Sequence, residues 1–165
     1  MPCVRPSKIA YYLGIAEEVA KRGTCLRRNF GAVIVNNDQI VSTGYSGAPR
    51  GTRNCIDIGM CLREQQKVPK GQRYELCRSV HAEMNAIIHA ARREMVGGDL
   101  YLVGLQAGDW SYVENAEPCR LCKRTIINAG ICYVYAKTPS SHSTMIVENW
   151  ILNEDEVFGD PKKEY

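Results

Sequence analysis

His81-Ala82-Glu83 and Pro118-Cys119-Arg120-Leu121-Cys122 are the two stretches from which the rest of the chain can be read. Alone, each is ambiguous. A His-x-Glu triplet arises often by chance, and Cys-x-x-Cys serves as a redox pair or as half of a structural zinc site. Together, and in this order, they read as one metal centre. His81, Cys119 and Cys122 supply three zinc ligands and leave a fourth position for water, while Glu83 is a carboxylate that is not a ligand and can carry a proton. A structural zinc fills its positions with protein atoms and needs no such extra carboxylate.

The sequence around each motif says how it is held. Pro118 suits a helix start, and Leu121, Thr125, Ile126 and Ala129 continue the helix to Gly130. A spacing of three puts Cys119 and Cys122 on one helical face, where the positive helix end and the metal favour thiolates. His81 and Glu83 are two apart and would diverge on the side of a helix. They are therefore expected in the first turn of a helix that starts at Arg78 or Ser79 and runs to about Met95, with its end aimed at the site.

Other segments supply a sheet. Gly31–Val35 and Gln39–Gly44 flank the turn-forming Asn36-Asn37-Asp38, a hairpin signal. Leu100–Val103 and Ile131–Tyr135 read as further strands, and Met145–Leu152 as a strand or a short helix. Ser7 can cap a first helix running to about Arg22 and closed by Gly23. Strand-helix alternation predicts an α/β sandwich, a central sheet covered by helices. Trp110 and Tyr112 lie in a polar loop, Gln106–Glu117, and either pack or shape a pocket lip. His89 reads as a helix-face residue and His142 as a loop residue.

At 165 residues and 18.5 kDa one domain, residues 1–165, is expected. The stretch of about 46–78 is a cysteine-containing insertion with little periodicity. A formal charge of +3, spread among acids, is compatible with an anionic substrate but not with a concentrated nucleic-acid face. No apolar run approaches the roughly 20 residues of a membrane span, and no signal-peptide pattern opens the chain, so a cytoplasmic protein is expected. The acidic, Lys-rich end is expected to fray.

Eight cysteines in a reducing compartment favour metal over disulfides, although an even count also suits a stapled secreted chain. Cys25, Cys55, Cys61 and Cys77 surround the irregular stretch and could complete a tetrahedral structural zinc that orders it, or could be scattered buried thiols. Cys132 alternates with apolar neighbours as a core residue would, and Cys3 reads as a terminal thiol.

A three-ligand zinc with an adjacent glutamate points to hydrolytic deamination. In cytosine chemistry activated water attacks C4, Glu83 protonates N3, and a second proton through Glu83 releases ammonia. The chain resembles the deoxycytidylate (dCMP) deaminase family of the zinc cytidine-deaminase superfamily. His81-Ala82-Glu83-Met84-Asn85-Ala86-Ile87, Pro118–Cys122 and the glycine-rich Ser42–Gly51 carry the resemblance, which covers roughly residues 7 to 136.

That resemblance implies a three-layer α-β-α sandwich with a central mixed sheet and conversion of dCMP to dUMP, feeding thymidylate synthesis. It further implies a homo-oligomer, a deoxynucleoside triphosphate regulator in some members, an additional zinc in some members, and substrate contacts at Ala82, Ser46 and Arg92. Arg92, about three helical turns beyond His81, would take the phosphate. Ser46 stands where the family usually has Asn, which leaves sugar recognition open. Other readings are deamination of another cytosine nucleotide, a nucleoside or a purine base, and a competence-associated or non-catalytic zinc domain on the same scaffold.

Overall fold

A computed structural model describes residues 4–69 and 71–159; Cys3 and the charged C-terminal end lie outside the described residues. The chain runs α1 (Lys8–Ala20), β1 (Arg28–Asn36), β2 (Gln39–Tyr45), then α2 (Cys55–Ile58), α3 (Leu62–Gln65) and a 3-10 turn (Tyr74–Leu76). It continues with α4 (Ala82–Ile88), α5 (Arg92–Met95), β3 (Asp99–Gln106), α6 (Arg120–Ala129), β4 (Tyr133–Lys137), β5 (His142–Ile146), α7 (Val147–Leu152) and α8 (Asp155–Phe158).

The five strands form one mixed sheet in the order β2-β1-β3-β4-β5. Only β3 and β4 pair in parallel, and α6 makes the crossover between them. The β1–β2 hairpin turns through Asn37 and Asp38, both at positive φ (49 and 62), a conformation that Asn and Asp tolerate better than most residues.

Alternation along the strands divides the core into two faces. Val33, Val35, Tyr101, Val103 and Leu105 meet Tyr12, Leu13, Ala16 and Ala20 of α1 on one side. Ala32, Ile34, Leu100, Leu102, Val134 and Ala136 meet Ala82 and Ala86 of α4 and Cys122 and Ile126 of α6 on the other. This is the three-layer sandwich expected of the sequence, with both motif-bearing helices on one face.

Ser7 caps α1 as expected, its hydroxyl accepting from the amide of Ala10 at 3.1 Å. Met145–Leu152 is a strand end followed by a helix, so each half of that expectation holds in turn.

Three expectations are corrected. The helix foreseen up to Met95 breaks at His89–Ala91, where the ring of His89 turns back to Thr43 O (2.8 Å) and Arg50 (3.0 Å), and Ala91 is extended (ψ 143). Tertiary hydrogen bonds override the alanine-rich propensity there. Cys132 is exposed, not core, because β4 begins one residue later and Cys132 is spent on backbone bonds to Gly98 and Val147. His142, foreseen in a loop, opens β5.

Candidate metal and catalytic site

Both motifs sit at helix starts. His81 is the N-cap of α4 (φ −69, ψ 152) and Cys119 the N-cap of α6 (φ −69, ψ 168). In each the extended cap residue leaves the helix axis and turns its side chain toward the other helix. Cys122, one turn into α6, and Glu83, in the first turn of α4, are buried beside them.

The distances suit a metal. His81 Nδ1 lies 3.4 Å from Cys119 Sγ and 3.3 Å from Cys122 Sγ, and the three ligand atoms fall within 4.8 Å of one another. Tetrahedral ligation at ordinary zinc–nitrogen and zinc–sulfur lengths separates such atoms by about 3.5 Å. Glu83 is outside this group.

The three side chains are electrostatically coupled. A hydrogen bond from Cys122 and the neighbouring His81 bring the Cys119 thiol down to about 4 against the effect of burial. The same sharing, with burial and Glu83, pushes Cys122 up. Burial works against a charged His81, but the hydrogen bond to Cys119 and the charges of Glu83 and Cys119 outweigh it. Glu83 is pushed up by burial, which lets this carboxyl hold a proton as well as release one.

Four positions on β2 fasten α4. Ser42 Oγ donates to Ala86 O (2.7 Å), Asn85 Nδ2 donates to Tyr45 O (2.8 Å), and His89 meets Thr43. At Gly44 a Cβ would lie 2.2 Å from Ala86 N and 2.4 Å from Ala82 O. The glycine-rich Ser42–Gly51 segment thus brings the backbone close to the catalytic helix at this point.

A cavity of about 180 Å³ opens beside the triad. Ala82, Ser46 and Glu83 line it with His81 and Cys119. Ser46 is buried, its hydroxyl accepting from Phe30 N at 2.9 Å. Arg92 is not on this wall: it starts α5 and donates its Nε to Asn128 O at 2.8 Å. Trp110 and Tyr112 do not line the cavity either, whereas Asn115 and Glu117 of the same loop do.

Arg27, Arg28, Arg63 and Tyr74 line the cavity and escaped sequence reasoning. Arg63 is in the aperiodic insertion, where no local pattern marks an arginine for burial.

Cys25, Cys61 and Cys77 border the same cavity, and Cys55 is buried nearby. Burial raises the Cys55 thiol, with additions from Cys25, Cys77 and Cys61. Among the described residues no three of these thiols close to the spacing of the His81 triad. Cys25 Sγ accepts from Arg27 N at 3.4 Å. Cys77, raised chiefly by burial, is drawn back by the backbone N–H of Ser79.

Residues 6–138 match the family model described as the cytidine and deoxycytidylate deaminase zinc-binding region. A deoxycytidylate deaminase of Schizosaccharomyces pombe is 33% identical over 147 residues, covering 87% of this chain and 42% of that protein. One from Mycobacterium phage D29 is 35% identical over 132 residues, 77% of this chain and 91% of that protein. The crystal structure of the dCMP deaminase from cyanophage S-TIM5, in apo form, superposes with a TM-score of 0.56 at 25% identity, covering 82% of this chain and 86% of that one. With its zinc-ligand triad, non-ligand glutamate and mixed sheet in place, this chain belongs to the cytidine and deoxycytidylate deaminase family.

Proposed function

We propose that the chain hydrolyses dCMP to dUMP and ammonia. The observation that carries this reading is Glu83, buried against three convergent metal-ligand atoms yet not one of them, at the wall of a cavity. The similarity to deoxycytidylate deaminases supports dCMP as the substrate. His81, Cys119 and Cys122 would hold zinc, which when bound supplies an open position that brings water from a pKa of about 15.7 to near 7.

Glu83 accepts the proton that the attacking water sheds and delivers it to ring N3 as the oxygen bonds to C4. It then relays the second proton to the exocyclic nitrogen, the C4–N bond breaks, and ammonia leaves. The new carbonyl oxygen comes from water.

Ammonia release measured on dCMP, CMP, dCTP, deoxycytidine and single-stranded DNA tests the reading. Glu83→Gln is expected to retain zinc and lose about 10²- to 10⁴-fold in turnover. Turnover surviving in that variant sinks the mechanism.

The same reading includes a second, structural zinc at Cys25, Cys55, Cys61 and Cys77. Its support is that Cys25, Cys61 and Cys77 border one cavity with Cys55 buried near them, and that the N–H groups of Arg27 and Ser79 are aimed at two of the sulfurs. Two zinc ions per chain are expected on metal quantitation, and one rejects the site. A homo-oligomer rests on the resemblance of sequence. A deoxynucleoside triphosphate regulator rests on the resemblance of sequence alone. No helix among the described residues is long and apolar enough to cross a membrane, and a cytoplasmic setting, where thiols stay reduced, suits cysteine ligation.

A further inference from the structure

Arg63 is a buried cation, 8% exposed, that makes no ion pair among the described residues. Its Nη2 donates to Pro69 O (3.1 Å) and Gln72 O (2.7 Å), while its Nε is buried with no partner among the described residues. Its guanidinium lies 4.8 Å over the Tyr74 ring, and Tyr74 packs edge-on against His81 at 5.1 Å. Two ring contacts therefore hold the charge within about 10 Å of the metal ligand.

A buried, unpaired guanidinium is costly unless an anion completes it. Arg63 lines the cavity with Arg27 and Arg28. Arg27 is already committed to Glu64 at 3.0 Å. A mononucleotide with its base at Glu83 has its phosphate about this far from the metal ligands, and a guanidinium fork suits phosphate oxygens. Two carbonyls on its Nη2 and the face of Tyr74 hold the Arg63 side chain before any ligand arrives, which lowers the entropy cost of the contact.

We propose that Arg63, with Arg28 beside it, receives the phosphate of the nucleotide substrate and makes the enzyme prefer the nucleotide to the nucleoside. The proposal rests on the deaminase reading above and moves the phosphate contact from Arg92 to the insertion.

The test is kcat/KM of the zinc-loaded enzyme for dCMP and for deoxycytidine, in wild type, Arg63→Gln, Arg63→Lys and Arg92→Gln. Arg63→Gln is expected to lower the dCMP value at least about tenfold while changing deoxycytidine by no more than about twofold, and Arg92→Gln to leave the ratio unchanged. An unaltered ratio in Arg63→Gln overturns the proposal. So does an equal fall on both substrates accompanied by zinc loss, which would make Arg63 a partner of the cysteine cluster. Should Arg63→Gln not fold, Arg63→Lys, which keeps charge without the fork, is read by the same ratio. Calorimetric titration with inorganic phosphate separates the two levels: a wild type idle on both compounds refutes the deaminase reading, while phosphate binding lost in the Arg63 variants still upholds the anion site and equal binding rejects it.

Discussion

Gly44→Ala is the most economical probe of how the scaffold positions the chemistry. A methyl at Gly44 would stand 2.2 Å from Ala86 N, 2.4 Å from Ala82 O and 2.8 Å from Asn85 C, all backbone atoms of α4. No side-chain rotation relieves such contacts, so strand and helix must separate by about 1 Å to reach ordinary van der Waals distance. Overpacking of this kind costs about 1–3 kcal/mol of stability. The larger effect is on turnover, because α4 carries His81 and Glu83, and a displacement of about 1 Å at a reacting centre can cost on the order of a hundredfold in rate.

Gly31→Ala is the matched control. Its methyl would stand 2.2 Å from Ala16 O and 2.3 Å from Ala20 N, the same intrusion into backbone, but against α1 on the opposite face of the sheet. Thermal unfolding and steady-state ammonia release on both variants are expected to show similar losses of stability, with turnover collapsing only in Gly44→Ala. Turnover of Gly44→Ala within about threefold of wild type, or an equal loss in Gly31→Ala, would refute the claim that close approach at Gly44 sets the catalytic geometry.

Asp38 offers a pH test at the hairpin. Its carboxylate accepts from Lys8 Nζ (2.8 Å) and from the Tyr12 hydroxyl (2.9 Å), and Lys8 first and Tyr12 second hold it below the usual carboxylate range. A depressed folded value stabilises above the unfolded value of about 3.9 and is lost as pH falls through the folded one. Asp38→Asn, which keeps the turn geometry, should therefore be less stable than wild type near neutral pH and converge with it in acid, below the folded value, in denaturant titrations. A gap that persists in acid shows that charge is not its origin. Removal of zinc by a chelator should lower the melting temperature by on the order of 10 °C, since a ligand held at a thousandfold over its Kd contributes about 4 kcal/mol. An unchanged calorimetric transition after verified metal loss contradicts ligation by His81, Cys119 and Cys122.

Much of this architecture is written locally. Pro118 and the Cys spacing, the alternation through Val33, Ile34 and Val35, and the Asn37-Asp38 turn are short-range signals whose physics acts within a few residues. The position of His81 and Glu83 in a first turn followed from their spacing of two. What could not be read depends on distant partners. The break after Ile88 is made by the carbonyl of Thr43, 46 positions away from His89. Arg63 looks like any polar residue of an insertion until Pro69, Gln72 and Tyr74 enclose it. Cys132 sits in an apolar rhythm that predicts burial, yet the point at which β4 begins leaves it outside.

The two extended N-caps have a thermodynamic consequence. Because His81 and Cys119 take their orientations from helix starts already packed on the sheet, the ordering entropy of the cage is borne by folding, not by metal capture. Such a receptacle gains little structure when its ion arrives. Exchange should then follow the accessibility of the sulfurs and the pH of the medium, with no refolding step.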